Sequence, residues 1–186
     1  MTEIDEKGWL TGITCHASPN FDQRPAVDDI NLLVIHNISL PPEQFGGPWI
    51  SDFFCNRLDP NQHPYFSEIA DLKVSSHLLI HRDGKAVQFV SFLDRAWHAG
   101  ASCFDGREKC NDFSIGIELE GSDSQPFTEQ QYQSLAAITK KLMNRFPAIT
   151  AERITGHSDI APGRKTDPGP HFDWPRYRNL INSAQA

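Results

Sequence analysis

The apolar positions of this chain fall into continuous runs and alternating runs, which predict different kinds of secondary structure. Residues 31–37 (Asn-Leu-Leu-Val-Ile-His-Asn) form a continuous run, with two aspartates shortly before it and two prolines shortly after it. Such a run is typical of a strand buried on both faces. Residues 113–121 alternate instead: one face is apolar, and the other carries Ser114, Gly116, Glu118 and Glu120. We therefore predict two strands, the first of which holds His36 at its end on a rigid support.

Turn residues predict a hairpin between these two strands. The segment 82–85 contains an Asp-Gly pair, which tight primed turns favour, and it separates apolar segments at residues 76–81 and 86–92. A further short strand is predicted at residues 153–156, where Arg-Ile-Thr-Gly leads directly to His157.

Capping residues predict the helices. Thr128 and Gln131 have the spacing of a capping box, and the apolar face that follows must end before Pro147. Asp173 is placed to cap a final helix that has a proline in its first turn. A short helix is expected at residues 49–57, and a single helical turn is expected near residues 65–70.

Three segments carry no regular pattern. Residues 1–27 are expected to be an irregular lead-in, and residues 93–112 and 158–172 are expected to be long loops of an active site. Long loops inside a compact domain are usually functional. The whole pattern predicts one mixed α/β domain over residues 1–186, with hairpin strands beside a buried central strand.

Composition narrows the classes of partner and compartment. A net charge of −7 argues against nucleic acid as the main partner, because phosphate binding needs a concentrated basic surface. Neither a secretory signal nor an apolar run of about 20 residues occurs, so we expect a cytoplasmic protein that does not bind membranes. Cysteines in that compartment are usually reduced. We therefore expect free thiols, rather than disulfides or a zinc knuckle, at Cys15, Cys55, Cys103 and Cys110.

Candidate chemistry begins with two histidines that stand where a strand ends. His36 follows the strand at 31–37, His157 follows the strand at 153–156, and Asp167 lies ten residues beyond His157. Two imidazoles and one carboxylate would give zinc three protein ligands and leave a fourth position open for catalysis. The alternative is three unrelated polar residues, with Asp167 capping an Asp-Pro-Gly turn. Placement alone leaves both interpretations open.

Several segments, taken together and in order, resemble a known family. They are Leu33-Val-Ile-His-Asn-Ile-Ser-Leu-Pro-Pro42, His63-Pro-Tyr-Phe66, Arg95-Ala-Trp-His-Ala-Gly100, Ile115-Gly-Ile-Glu-Leu-Glu-Gly121, Gly156-His-Ser-Asp-Ile-Ala-Pro162 and Arg164-Lys-Thr-Asp-Pro-Gly169. The chain resembles the AmpD-type 1,6-anhydro-N-acetylmuramyl-L-alanine amidases, members of the zinc amidase and peptidoglycan-recognition superfamily. The resemblance runs from about residue 8 to residue 178, and it implies a central mixed β-sheet flanked by helices.

The resemblance also implies a mechanism. It makes His36, His157 and Asp167 the ligands of one zinc ion per chain, Glu118 the catalytic carboxylate and Lys165 the group that stabilises developing negative charge. Alternation could not choose between Glu118 and Glu120, which share a face; the resemblance selects Glu118. The implied reaction is hydrolysis of the amide between the lactyl group of anhydro-N-acetylmuramic acid and L-alanine, in peptidoglycan recycling by a monomeric bacterial enzyme.

A substrate with an acidic stem peptide and a sugar calls for cations and aromatic surfaces. The candidate substrate-binding residues are Asn37, Tyr65, Lys73, Trp97, His98, Lys109 and Arg164. Trp97 could pack against a sugar face or anchor its own loop, and the two lysines could equally be solvated surface residues.

Two alternative functions remain to be weighed. Superfamily relatives that bind peptidoglycan without cutting it lack a complete ligand set, whereas this chain fills every ligand position, which favours an enzyme. A thiol hydrolase would use Cys103 or Cys110 with His98, but neither cysteine is predicted at the end of a strand.

Overall fold

The apolar run at residues 31–37 forms a strand near one side of a six-stranded sheet. The structure, a computed structural model, describes residues 2–183. Its strands are β1 (Thr14–Cys15), β2 (Phe21–Gln23), β3 (Leu32–Ile38), β4 (Leu78–Ile80), β5 (Ala86–Gln88), β6 (Asp94–Ala96), β7 (Cys103–Phe104), β8 (Arg107–Glu108), β9 (Ser114–Glu120) and β10 (Ile154–Gly156). Its α-helices are α1 (Trp49–Phe54), α2 (Pro64–Ile69), α3 (Glu129–Arg145), α4 (His157–Ile160) and α5 (Trp174–Asn182).

The large sheet is mixed, in the order β1-β5-β4-β9-β3-β10. Strands β4, β9, β3 and β10 run parallel to one another, and β5 pairs with β4 in the predicted antiparallel hairpin. The register opposes His36 to Glu118 and Ile35 to Gly156. Because parallel strands end at the same edge, this register brings His36, Glu118 and His157 to one edge of the sheet.

Helices α3 and α5 cover one face of the sheet. Leu33 and Ile35 of β3 and Ile117 of β9 are fully buried against this layer, which also contains Leu135 and Tyr177 of the two helices. Burying a side chain of this size contributes about 1.5–3 kcal/mol. The opposite face packs partly against α1 and α2 and partly against α4, and it carries the even-numbered residues of β3 and β9.

The predicted caps are confirmed. Thr128 accepts a hydrogen bond from the backbone N–H of Gln131, whose side chain accepts one from the backbone N–H of Thr128. Asp173 caps α5 by accepting from the N–H of Arg176. The hydroxyls of Thr139 and Tyr177 form a buried 2.7 Å hydrogen bond that joins α3 to α5.

The three segments predicted as irregular contain more regular structure than expected. Residues 1–27 supply β1 at the sheet edge and β2, which pairs with β6. Residues 93–112 contain β6 and the β7–β8 hairpin, and residues 158–172 begin inside α4. These elements were missed because they are two to four residues long and depend on partners distant in sequence.

Within residues 2–183, no helix combines the length and the apolar character needed to cross a membrane.

Candidate metal centre and active-site cleft

Three side chains of the candidate metal site converge at the carboxyl edge of the sheet. His36 lies near the carboxyl end of β3, and His157 immediately follows the neighbouring parallel strand β10. Asp167 comes from the loop after α4, and its carbonyl accepts a 2.9 Å hydrogen bond from the backbone N–H of Ser158. That bond brings the loop back to the residue after His157, so Asp167 lies close to His157 although ten residues separate them in sequence.

The facing atoms form a nearly equilateral triangle. His36 Nδ1 lies 3.0 Å from His157 Nδ1 and 2.9 Å from Asp167 Oδ2, and His157 Nδ1 lies 3.0 Å from the same oxygen. A tetrahedral zinc ion with ligands at about 2.0–2.1 Å spaces them by about 3.3 Å. Both imidazoles are buried, and the described residues contain one such cluster of metal-binding groups.

The proton arrangement supports a cation between these atoms. His157 Nε2 lies 3.1 Å from the carbonyl oxygen of Ala99, which can only accept, so a neutral ring carries its proton there. Its Nδ1 lone pair then faces the Asp167 carboxylate at 3.0 Å. Two acceptors at this distance, largely shielded from water, repel unless a proton or a metal ion lies between them. The donor set therefore fits a divalent cation such as zinc.

The pKa values of the ligands favour the forms that bind metal. Burial, reinforced by His157 and Lys165, lowers the pKa of His36 to about 4 against the opposing effect of Asp167. Burial acts to raise the pKa of Asp167, but its close contacts with the His157 and His36 rings hold that pKa far below its usual range. At neutral pH His36 is therefore a neutral imidazole, and Asp167 carries a negative charge.

Glu118 lies beside this cluster on the adjacent strand. Glu118 is only 8% exposed, and its Oε2 is buried without a hydrogen-bond partner in the part of the chain that the structure describes. Burial, together with the negative charge of Asp167, raises its pKa well above the usual range, while Lys165 acts to lower it. An unpaired buried carboxyl at the end of a strand is costly to keep, which marks it as a candidate for proton transfer.

Glu120 occupies the same face two residues later but is fully engaged. It accepts hydrogen bonds from the backbone N–H groups of Gly46 and Arg82 and contacts His81. Burial acts to raise its pKa, and these bonds hold the pKa below its usual range. Its role in the described structure is to tie the 39–47 loop to the hairpin turn.

A cleft of about 610 Å³ opens over the cluster. Among the residues predicted to bind substrate or act in catalysis, its lining includes Asn37, Tyr65, Trp97, His98, Glu118 and Lys165. Asn37 donates to Asp123 at 2.7 Å and to the carbonyl of Pro168. Trp97 presents a buried Nε1–H that has no hydrogen-bond partner among the described residues.

Three predicted substrate contacts lie outside the lining of this cleft. Lys73 is exposed and is not among the residues that line the cleft, and Lys109 lines a separate surface depression. Arg164 lines that depression too, and its guanidinium donates to the carbonyls of Ala99 and Ala101. Arg164 thus braces the loop whose Ala99 carbonyl faces His157, whereas direct substrate contact by these three residues stays a prediction.

The cleft also includes residues that sequence reasoning missed. Asp123 lines it and holds Asn37, and Ser75 accepts from the backbone N–H of Trp97 at 3.0 Å. Leu72, half exposed, adds an apolar wall. Asp123 follows the end of β9 in a Gly-Ser-Asp-Ser turn, which is the one signal in the sequence that could have found it.

The cysteines do not line the cleft. All four are free thiols; Cys55 and Cys110 are buried, and Cys15 and Cys103 are exposed. Neither Cys103 nor Cys110 lines the cleft.

A set of two buried histidines and a partly buried aspartate, open to a cleft and flanked by an unpaired carboxyl, is the type of site that metal-dependent hydrolases use. The chain belongs to the N-acetylmuramoyl-L-alanine amidase family, whose model matches residues 26–170. The mixed α/β fold is that of the family.

Relatives agree with this assignment. The chain is 61% identical over 176 residues to the 1,6-anhydro-N-acetylmuramyl-L-alanine amidase AmpD of Haemophilus influenzae, covering 95% of this chain and 96% of that protein. A crystal structure of selenomethionine AmpD superposes with a TM-score of 0.92 at 58% identity, covering 95% of this chain and 98% of that one. AmiD from Escherichia coli, in complex with anhydro-N-acetylmuramic acid-L-Ala-D-γ-Glu-L-Lys, gives a TM-score of 0.61 at 28% identity, covering 95% and 65%.

Proposed function

We propose that this chain is a zinc-dependent amidase that hydrolyses the bond between the lactyl group of 1,6-anhydro-N-acetylmuramic acid and L-alanine. The observation that carries the proposal is the triangle of His36, His157 and Asp167 atoms beside the unpaired carboxyl of Glu118. The names of the similar proteins support the substrate class. A place in cytoplasmic peptidoglycan recycling, and a monomeric state, stay predictions.

His36, His157 and Asp167 would hold the zinc ion. When bound there, zinc supplies Lewis-acid chemistry: it polarises a carbonyl and lowers the pKa of a water molecule. The residues around it supply rigidity, since Ala99 holds the outer nitrogen of His157 and Ser158 holds the backbone of Asp167.

Glu118 would move the proton. In its ionised form it accepts a proton from the attacking water and then gives that proton to the leaving amine nitrogen of L-alanine. A raised pKa suits the second step, and the charge of Lys165 helps to regenerate the ionised form for the first. A base is most efficient when its pKa lies near the operating pH.

Lys165 would stabilise the oxyanion that develops on the scissile carbonyl. It lines the cleft, and its charge acts on both Glu118 and His36. A fixed cation at a developing negative charge contributes to the transition state more than to the ground state.

The cleft wall would orient the substrate. Asn37 is fixed by Asp123, so its amide oxygen is free to accept from a peptide N–H. The unpaired Nε1–H of Trp97 suits an oxygen of the sugar or peptide, and Tyr65 and Leu72 provide apolar contact.

A direct test is incubation of the zinc-loaded protein with an anhydro-muropeptide and with its reducing-end counterpart. We expect mass spectrometry to show free peptide with an N-terminal L-alanine, released faster from the anhydro form. The runner-up function is a binding protein of the same fold that does not cut muropeptides. Tight muropeptide binding without peptide release would establish the runner-up and reject the amidase.

A further inference from the structure

The outer nitrogen of His36 contacts another histidine rather than a carbonyl or carboxylate. His36 Nε2 lies 2.9 Å from Nδ1 of His98, and the two rings meet edge to face at a centroid distance of 5.0 Å. The other nitrogen of His98, Nε2, lies 3.1 Å from the hydroxyl of Ser114. Ser114, His98 and His36 thus form a hydrogen-bonded chain that ends at the proposed metal site; Ser114 and His36 are buried, and His98 is partly buried.

The position of His98 is built into the fold at several points. Its backbone N–H donates to Asn111 Oδ1 at 3.1 Å, and the same oxygen accepts from Ala99. Its ring lies over Gly116 of β9, where an ideal Cβ would come within 2.5 Å of His98 Cγ. A side chain at residue 116 would therefore displace the ring, and glycine at this position makes room for it.

Hydrogen bonds along this chain can run in two directions. In the first, the Ser114 hydroxyl donates to His98 Nε2, His98 Nδ1–H donates to His36 Nε2, and His36 Nδ1–H donates to Asp167. In the second, His36 Nε2–H donates to His98 Nδ1, and His98 Nε2–H donates to Ser114. In each direction both rings are neutral, and the Ser114–His98 and His98–His36 contacts each have one donor and one acceptor.

Only the second direction leaves the Nδ1 lone pair of His36 available to a metal. The first suits the metal-free protein, because the His36 proton then points at the Asp167 carboxylate 2.9 Å away. We propose that His98 is a positioning residue for the metal ligand His36, and that metal binding reverses the hydrogen bonds of the Ser114–His98–His36 chain. This inference rests on the proposed function, since it assumes that His36 binds zinc, and it replaces direct substrate contact as the main role of His98.

The first test reads the tautomers directly in the unaltered protein. Long-range ¹H–¹⁵N correlation spectra of histidine side chains distinguish Nδ1–H from Nε2–H rings. We expect Nδ1–H for both His36 and His98 in the metal-free protein and Nε2–H for both after one equivalent of zinc. Zinc binding without a change in the His98 tautomer overturns this inference alone. Absence of zinc binding overturns the proposed function and this inference together.

The second test measures zinc affinity by competition with a chromophoric chelator. Loss of a partner to a ligating histidine typically weakens metal binding about 10–100-fold, which we expect for His98→Phe. His98→Asn should recover most of that loss, because its amide oxygen can accept from His36 Nε2. An unchanged dissociation constant in His98→Phe would contradict the proposal.

Ser114→Ala and Ser76→Ala form a matched pair that tests the Ser114 end of the hydrogen-bonded chain. Both serines are fully buried, but the Ser76 hydroxyl donates to the Gly116 carbonyl and takes no part in the Ser114–His98–His36 hydrogen bonds. We expect weaker zinc binding for Ser114→Ala than for Ser76→Ala at similar melting temperatures of the metal-free proteins. Equal affinities in the two variants would show that the Ser114 link has no part in positioning His36.

Discussion

Replacing the carboxyl of Glu118 by an amide separates its catalytic role from its effect on stability. Glu118→Gln keeps the shape of the side chain but removes the proton-accepting group, while His36, His157 and Asp167 stay intact. If Glu118 transfers the proton, turnover should fall by about 10²–10⁴-fold, the usual contribution of general acid–base catalysis. That corresponds to about 3–5 kcal/mol of transition-state stabilisation, at about 1.4 kcal/mol per factor of ten.

Stability should change in the opposite sense. Burial raises the pKa of Glu118 well above its usual value, so in the metal-free protein the folded state holds this proton more tightly than the unfolded state. Ionisation of this carboxyl therefore lowers the free energy of unfolding as pH rises above its unfolded-state pKa of about 4.3. The total loss is about 1.4 kcal/mol for each unit by which the folded-state pKa exceeds the unfolded-state pKa. The amide lacks this penalty, so the variant should be as stable as the unaltered protein at pH 4 and more stable at pH 7.

The assay combines peptide release, zinc content and thermal unfolding of the metal-free protein at pH 4 and pH 7. Glu120→Gln is the matched control, since it makes the same change on the same face of β9 and should leave turnover within a few-fold. Full activity in Glu118→Gln, or loss of turnover in Glu120→Gln alone, would refute the assignment of the catalytic carboxylate.

Other predictions follow from the same contacts. Lys165→Met should retain zinc but lower kcat by roughly 10–10³-fold, with little change in KM, because its charge acts on the transition state; a change confined to KM would contradict this. Glu120→Gln should lower the free energy of unfolding by about 1–3 kcal/mol at pH 7, because it weakens buried hydrogen bonds to Gly46 and Arg82. This difference should shrink as pH falls below about 4, because a carboxyl with a lowered pKa in the folded state stabilises the fold only above that range. A pH-independent difference in chemical denaturation would exclude this linkage. Tyr177→Phe should lower the free energy of unfolding by about 1 kcal/mol, because it leaves the Thr139 hydroxyl between α3 and α5 without its hydrogen-bond partner. An unchanged denaturation midpoint would rule out that bond as a stabilising contact.

The elements that the sequence predicts well are those whose signals are local. The continuous run at β3, the alternation at β9 and the capping box of α3 each depend on residues within a few positions of one another. The short strands β1, β2, β7 and β8 carry no such signal, because their stability comes from a partner strand and not from their own side chains.

The candidate site divides in the same way. His36 and His157 could be predicted because His36 lies near the end of one buried strand and His157 directly follows another, and parallel pairing then makes them neighbours. The proposed positioning role of His98 could not be predicted, because its contact with His36 spans 62 positions and depends on the absence of a side chain at Gly116. Arg164 shows the converse: its sequence position near Asp167 suggested substrate contact, but the structure directs its guanidinium to the Ala99 and Ala101 carbonyls.

The central claim is that one metal ion, held by His36, His157 and Asp167, is required for hydrolysis of an anhydro-muropeptide. The most direct measurement is a zinc titration of the chelator-stripped protein, with bound zinc and peptide release followed in the same samples and His157→Ala as control. We predict that activity rises from zero in proportion to bound zinc, reaches its maximum at one equivalent per chain, and stays absent in His157→Ala. Full activity before any zinc is added, or in His157→Ala without bound metal, would contradict the account.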